Sequence, residues 1–279
     1  MFSRSSVISL VALAISSVAA QDASLGIKAI QAHFTQSHLV PDLLASFNPS
    51  ALLNLNYPGV GPVTPGQKLT KEQVGPTPAV TITPANSSVT LTGTYTLAMV
   101  DADIVGAVLP EGQTRHWLVN GVKVEDGAVT NATAVGITTY AGPWPAPGSG
   151  PHRYVVALYE QPSTFTPPDN LSAPNIPVST FDWPAYVQST GLGPLVAATY
   201  INVEEGTATV SLQPTSAVVT STLAPSSATS GASTPSNSAG AGGNGSGNAP
   251  NPNTGNAFRS MPALAPFTLL VGGLAALLL

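Results

Sequence analysis

Short apolar segments bounded by turns constrain the fold of this chain most strongly. Residues 95–103 and 150–162 each contain an apolar, β-branched and aromatic run with polar side chains at one end. Runs of this length and composition between turn residues are typical of buried strands. The chain contains 26 Gly and 27 Pro residues, enough to supply turns between many such strands. The sequence therefore predicts a domain built on a sheet.

The rest of the domain shows the same pattern of short strands separated by turns. Further strands are predicted at residues 53–57, 78–83, 116–120, 154–159 and 200–203. Helical spacing is found at residues 23–37, a turn or short helix at 41–47, and a helix at 181–189 that ends before Gly191. Many short strands with Pro- and Gly-rich connections predict a mainly β fold, a sandwich with a large antiparallel central sheet and a few peripheral helices.

The N-terminus has the composition of a secretory signal. Residues 1–20 contain Arg4, an apolar run at 7–15 and small residues before Gln21, where cleavage is expected. The apolar run is too short to span a bilayer. We therefore expect a secreted protein.

The C-terminus predicts lipid attachment. Within residues 258–279 the chain is apolar from Ala263 onward, and no charged residue follows Arg259. A membrane-spanning anchor, by contrast, usually has basic residues on its cytoplasmic side. The pattern matches a GPI-attachment signal that is removed, with Asn253 as the predicted lipidated residue. The protein should then be held at the cell surface by GPI lipid alone, on the plasma membrane or the cell wall.

A low-complexity segment separates that signal from the domain. Residues 207–257 are rich in Ser, Thr, Pro and Gly, which predicts a glycosylated stalk that is disordered from about residue 216. Residues 21–206 remain as one domain. Acceptor triplets for N-glycosylation begin at Asn86, Asn131, Asn170 and Asn244.

Composition excludes several functional classes. The chain has no cysteine, which removes disulfides, thiolate catalysis and cysteine metal sites. The formal net charge is −5, and the domain has few basic residues, namely Lys28, Lys68, Lys71, Arg115, Lys123 and Arg153. No basic stripe suited to nucleic acid exists. We expect a monomer without a cofactor.

Polar side chains at the strand ends form the candidate site. Asp101 and Asp103 leave one face of a strand if the extended conformation persists, although Asp-x-Asp is also common in solvated turns. His152 and Tyr154 share a face, and His116 precedes another strand. The imidazoles, the phenol and the backbone N–H groups of the loop at 142–150 are all hydrogen-bond donors. An aspartate behind an imidazole would fix its tautomer, so the set favours binding of a small anion.

Three catalytic or metal-binding alternatives have little support in the sequence. A two-histidine, one-carboxylate metal site lacks a His-x-His or His-x3-His spacing. A serine hydrolase would need a Gly-x-Ser-x-Gly segment, which is absent. Paired carboxylates at Asp101 and Asp103 could serve glycoside hydrolysis, but no aromatic sugar platform is evident beyond the three tryptophans, Trp117, Trp144 and Trp183. The residues favour a binding protein without catalytic or metal-ligating residues.

These motifs resemble the phosphatidylethanolamine-binding protein family, which is also called the Raf-kinase-inhibitor or carboxypeptidase Y inhibitor family. The similar segments are Asp-Ala-Asp at 101–103, His-Trp-Leu-Val-Asn at 116–120, the loop and Gly-Pro-His-Arg-Tyr at 140–154, and Tyr-Glu-Gln at 159–161. Upstream, residues 38–44 and 55–59 resemble fungal members. The likeness spans residues 25–206, and Ala102 replaces the proline of the family's Asp-Pro-Asp motif.

The resemblance implies a β-sandwich-like fold with a pocket for phosphate or phospholipid head groups. It places Asp101, His116, His152 and Tyr154 in that pocket, with Asp103 and Gly142 beside it. Our first hypothesis is a cell-surface protein that binds a phosphate-bearing small molecule or head group. A second is an inhibitor of a carboxypeptidase-type protease, or another protein-interaction module, with a vestigial pocket. A third is a cell-wall glycoprotein in which the domain has only a structural role.

Overall fold

The structure is a computed structural model that describes residues 23–213, 215–216, 218–219, 221 and 223. The predicted signal peptide, the C-terminal signal and the candidate residues Asn244 and Asn253 lie outside the described residues. No helix in the described part is long and apolar enough to cross a membrane.

Eleven strands and a few short helices make up the described chain. In chain order they are α1 (23–36), α2 (Leu39–Asp42), β1 (Ala51–Tyr57), β2 (Gly61–Pro62), β3 (Gln67–Leu69), β4 (Ala79–Pro84), β5 (Tyr95–Asp101), β6 (Gln113–Glu125), β7 (Ala128–Thr130), β8 (Val135–Thr138), β9 (His152–Glu160), a 3-10 turn (Asp169–Leu171), β10 (Ser179–Phe181), α3 (Trp183–Ser189) and β11 (Leu195–Val203).

The strands form one curled sheet in the order β2-β1-β4-β7-β6-β5-β9-β11-β3, with β8 and β10 also paired to β6. The long strand β6 connects the two parts of this sheet, because its last residues pair with β7 while the preceding ones pair with β5. The predicted mainly β fold is confirmed. The sheet is mixed at one edge, where β3 and β11 run parallel.

Both faces of the central strands are buried, which explains their continuous apolar runs. Along β9, Tyr154, Val156 and Leu158 face one core cluster, which contains residues of β1 and β4. The alternate residues Val155, Ala157 and Tyr159 face a second cluster, which contains residues of α1 and α3. Strand periodicity therefore divides β9 between two cores.

Several predicted boundaries differ from the structure. α2 ends at Asp42, and Val40 is non-helical (φ −113°, ψ 117°), as expected for a residue before proline. Phe181 belongs to β10, because α3 begins only after the N-cap Asp182, whose side chain accepts a hydrogen bond from the N–H of Ala185 (2.9 Å). β11 is longer than predicted, and the short strands β7 and β8 were not predicted.

The chain stays in contact with the domain after β11. The N–H of Gly148 donates to the carbonyl of Glu205 (2.8 Å), and the N–H of Thr209 donates to the carbonyl of Gly148 (2.8 Å). Val210 and Leu212 pack near Gly150. The first residues of the predicted stalk therefore lie along the loop that leads into β9.

Candidate functional site

The pairing of β5 and β9 places an aspartate opposite a tyrosine at one end of the sheet. Asp101 is the last residue of β5 and lies in register with Tyr154. His152, the first residue of β9, is two positions from Tyr154 and therefore on the same side of the strand. His116 comes from β6, the neighbour of β5 on its other side. We call Asp101, His116, His152 and Tyr154 the Asp101 cluster.

Asp101 is the acceptor on which this cluster is built. Its Oδ2 accepts a hydrogen bond from Nδ1 of His152 (2.9 Å), and its Oδ1 accepts from the N–H of Asp103 (2.7 Å). The phenol of Tyr154 also donates to Asp101. Burial, followed by the charge and hydrogen bond of Asp101, raises the pKa of Tyr154, so the phenol keeps its proton. One carboxylate thus orients both an imidazole and a phenol.

Asp103 does not continue the strand. Its φ is +59°, and its Oδ1 accepts from the N–H of Ile104 (2.6 Å). Of the two interpretations of Asp-x-Asp, an extended strand and a turn, the structure shows the turn at Asp103, because local side-chain bonding ends β5 here. The turn still brings Oδ1 of Asp103 to 3.6 Å from Nε2 of His152, and the Asp103 side chain is 31% exposed.

Arg153 holds this turn from the side opposite the cluster, a role that was not evident from the sequence. Its Nε donates to the carbonyl of Asp103 (2.9 Å), and its Nη2 donates to those of Ala102 (2.9 Å) and Ile104 (3.0 Å). Its Nη1 reaches the carbonyl of Ser37 (2.8 Å) and the carboxylate of Asp42 (3.3 Å). A charged residue inside an otherwise apolar strand was the available signal, since a buried charge needs such partners.

His116 reaches the cluster from β6, which lies on the other side of β5 from β9. Its Nδ1 lies 3.0 Å from the carbonyl of Ala141, which can only accept, so Nδ1 carries the proton. Its ring meets that of Tyr154 edge-on at 5.2 Å and lies 6.1 Å from that of Trp144, which is 61% exposed. Burial lowers the pKa of His116, despite the opposing effects of Ala141 and Asp101. Near neutral pH, Nε2 of His116 is therefore an acceptor.

His152 has an unpaired donor. Among the described residues, only its Nε2 and Nδ2 of Asn120 are buried side-chain polar atoms without a hydrogen-bond partner. Burial acts to lower the pKa of His152, but the hydrogen bond and charge of Asp101 and the charge of Asp103 outweigh it, so the pKa is raised. The imidazolium form then presents a buried N–H that needs an acceptor.

Gly142 has a packing role next to the cluster. A Cβ at this position would lie 2.9 Å from both the Cα of Gly75 and the carbonyl oxygen of Val74. Both of these are backbone atoms, which cannot move aside as a flexible side chain could. Ligand binding by Gly142 remains a prediction, but the need for glycine follows from this contact.

The variant Gly142→Ala should lose about 1–3 kcal/mol in free energy of unfolding, because the loop must move away from residues 74–75. The same shift displaces the Ala141 carbonyl and changes the environment of the His116 ring. Urea unfolding and imidazole NMR measure the two effects. Gly136→Ala is the matched control, since no heavy atom lies within 4 Å of its added Cβ. Equal stability of the two variants would contradict the packing role.

The described part of the chain contains no group of three or more His, Cys, Asp or Glu residues placed to hold a metal ion. The Asp101 cluster instead offers the N–H of the His152 imidazolium and the neutral imidazole of His116, with the partly exposed carboxylate of Asp103 and the Trp144 ring beside it. Such a set can hold a small phosphate ester by hydrogen bonds.

The structure is a curled, mainly β domain that carries a cluster of histidine, aspartate and tyrosine at one end of its sheet. A family model described as "Phosphatidylethanolamine-binding protein" matches residues 60–210. Since the match covers more than half of the chain, the protein belongs to the phosphatidylethanolamine-binding protein family. The resemblance inferred from the motifs is confirmed at the level of the family.

Three sequence relatives come from three different organisms. The chain is 31% identical over 173 residues to CEN-like protein 1 of Nicotiana tabacum, a match that spans 62% of this chain and 91% of that protein. It is 29% identical over 163 residues to the 26 kDa secreted antigen of Toxocara canis, spanning 57% of this chain and 58% of the antigen. It is 30% identical over 148 residues to the carboxypeptidase Y inhibitor of Saccharomyces cerevisiae, spanning 42% of this chain and 65% of the inhibitor.

Solved structures show the same fold. The carboxypeptidase Y inhibitor, in complex with its cognate proteinase, has a TM-score of 0.53 at 21% identity and covers 66% of this chain and 96% of the inhibitor. The phosphatidylethanolamine-binding protein of Plasmodium vivax has a TM-score of 0.50 at 17% identity and covers 62% and 96%, respectively. At these identities the likeness establishes the fold alone.

Proposed function

We propose that this protein is a non-enzymatic binding protein whose Asp101 cluster holds a phosphate ester, either a small molecule or a phospholipid head group. The observation that supports it most is Nε2 of His152, which is buried, has no hydrogen-bond partner among the described residues and lies on an imidazole oriented by Asp101. A phosphate oxygen is a suitable acceptor for this N–H. The family, whose members include binding proteins and inhibitors, agrees with such a role.

The remaining groups fit the rest of an ethanolamine ester. A cationic ammonium group beside the phosphate would find the partly exposed carboxylate of Asp103 and the face of Trp144. Neutral His116 adds an acceptor through Nε2. The phenol of Tyr154 and the Nδ1–H of His152 are both engaged by Asp101, so they orient the pocket without contacting the ligand.

The pH dependence of binding tests this proposal. The probe is glycerophosphoethanolamine, a phosphodiester whose charge does not change near neutral pH. Because the pKa of His152 is raised, its charge is present at pH 6.5 and is lost as the pH rises through that pKa. His116, with a lowered pKa, stays neutral over the same window. Affinity measured by calorimetry should therefore fall about ten- to hundredfold with rising pH, the worth of one charge-assisted hydrogen bond.

The variant His152→Gln should bind weakly and show no such pH dependence. His33→Gln is the matched control, since His33 is half-buried on α1 against Tyr200 and lies outside the Asp101 cluster. It should bind like the unmodified protein. Equal affinities for the unmodified protein and His152→Gln at pH 6.5 would contradict the proposed binding site.

Protease inhibition is a second candidate, favoured by the similarity to the carboxypeptidase Y inhibitor in both sequence and fold. Assaying inhibition of a secreted carboxypeptidase with the same two variants separates the candidates. Inhibition that is unchanged in His152→Gln, together with no binding of glycerophosphoethanolamine, would favour the inhibitor with a vestigial pocket.

We also propose that the protein acts at the surface of a fungal cell, as a secreted glycoprotein attached by GPI lipid to the plasma membrane or transferred to the wall. The segments at 1–20 and 258–279 and the spacer between the domain and the C-terminus support this location. Phosphatidylinositol-specific phospholipase should release it from membranes. Retention in the membrane after complete digestion of control anchors would contradict lipid attachment.

A further inference from the structure

An apolar groove lies over the core cluster that contains residues of β1 and β4, and none of its lining residues belongs to the Asp101 cluster. It has a volume of about 230 Å³ and is lined by side chains of β4, β5, β6 and β7. Its walls include the buried residues Val80, Leu97, Val119 and Val122, together with the partly buried ring of Trp117. Concave apolar surface of this kind usually marks a binding site.

Asn131 also lines this groove and begins an acceptor triplet for N-glycosylation. It follows β7 directly, and the N–H of Ala134 donates to its carbonyl (3.1 Å) to close a turn. Asn131, Ala132 and Thr133 are all exposed, so the complete triplet is accessible. The other acceptors in the described chain, Asn86 and Asn170, are exposed but do not line the groove.

The chemistry of an N-linked sugar suits this groove. The first residue of an N-glycan is N-acetylglucosamine, which presents C–H groups on its ring face and a methyl group on its acetamide. These can pack on Trp117 and the aliphatic wall, as apolar groups pack on aromatic rings. Thr77 and Thr81 also line the groove and are exposed, so their hydroxyls can bond to the sugar's polar edge.

We infer that Asn131 carries an N-glycan whose first sugar packs into this groove over Trp117. The inference requires export through the secretory pathway, which is proposed above, and is independent of the ligand of the Asp101 cluster. The glycan then covers apolar surface of the domain, whereas glycans on Asn86 and Asn170 extend into solvent.

The test uses the full chain produced through a eukaryotic secretory pathway, with glycan occupancy mapped by mass spectrometry. Asn131 should be occupied. Trimming with an endoglycosidase that leaves the first sugar should not change Tm, whereas Asn131→Gln and Thr133→Ala should each lower it by about 2–4 °C. In a Trp144→Phe background, both should increase acrylamide quenching of Trp117. Asn170→Gln is the control and should change neither quantity.

Several results would overturn the inference. An unmodified Asn131 beside modified Asn86 or Asn170 would show that export occurs but this site is not used. Absence of any glycan would remove it as well. An occupied Asn131 whose loss leaves Tm and Trp117 quenching as in Asn170→Gln would show that the sugar does not occupy the groove.

Discussion

Replacing Arg153 by methionine should lower the free energy of unfolding by about 3–5 kcal/mol and abolish detectable binding of glycerophosphoethanolamine. The guanidinium donates to the carbonyls of Ala102, Asp103 and Ile104, which form the turn after β5. Methionine leaves the carbonyls of Ala102 and Ile104 without the guanidinium donor, and that of Asp103 keeps only the backbone N–H of residue 153 (3.1 Å), so the turn loses the group that fixes it. Urea unfolding measures the stability, and calorimetry under conditions where the variant is folded measures the affinity.

A second buried arginine provides the control. Arg115 donates to the hydroxyl of Thr138 (2.6 Å), the carbonyl of Pro177 (3.0 Å) and the hydroxyl of Ser179 (3.2 Å), none of which belongs to the turn after β5. Arg115→Met should also be destabilised but should bind within about threefold of the unmodified protein once folded.

If Arg153→Met does not fold, Arg153→Lys tests the same point. Its single ammonium keeps the charge but cannot reproduce the planar fork that reaches three carbonyls. Folded Arg153→Lys should bind at least tenfold more weakly, the equivalent of about 1.4 kcal/mol. Unchanged affinity in a folded Arg153 variant would mean that the turn does not need this side chain.

Asp101→Asn should weaken binding of glycerophosphoethanolamine about 30- to 100-fold at pH 6.5, equivalent to about 2–3 kcal/mol. The carboxylate accepts from His152 and stabilises the imidazolium. An amide at this position cannot stabilise that charge, and its NH₂ group can instead donate to Nδ1 of His152. The pKa of His152 should therefore fall, as NMR titration of the imidazole can measure.

The neighbouring carboxylate should behave differently. Asp103→Asn keeps an acceptor for the N–H of Ile104 and suits the positive φ at this position. Because Oδ1 of Asp103 is 3.6 Å from Nε2 of His152, beyond hydrogen-bond distance, its loss should change affinity for dimethyl phosphate by less than about threefold. Equal losses of affinity for dimethyl phosphate in Asp101→Asn and Asp103→Asn would indicate a general charge effect and not the specific orientation of His152 by Asp101.

The central strands could be predicted from the sequence because both of their faces are buried. β5 and β9 are continuous apolar runs, and such runs are legible without knowledge of their partners. β7 and β8, with three and four residues, are too short to show a period, and they form by pairing with β6. The parallel pair of β3 and β11 depends on a contact between residues far apart in the chain.

The site could be predicted in part for the same reason. His152 and Tyr154 share a face by strand periodicity, Asp101 and His116 are polar residues at predicted strand ends, and the motif resemblance places all four in one pocket. The sequence left both a strand and a turn open at Asp103, and local hydrogen bonds that compete with extension of β5 produce the turn. The contact between His116 and the Ala141 carbonyl joins residues 25 positions apart, and strand periodicity cannot supply it.

Nitrogen-15 NMR of the histidine side chains, titrated with pH and with glycerophosphoethanolamine, tests the proposed site most directly. We expect Nε2 of His152 to be protonated at pH 6.5, to shift on addition of the ligand and to titrate at a still higher pH in the complex, while His33 does not respond. A His152 resonance that titrates below pH 6.5 and is unmoved by the ligand would contradict the account.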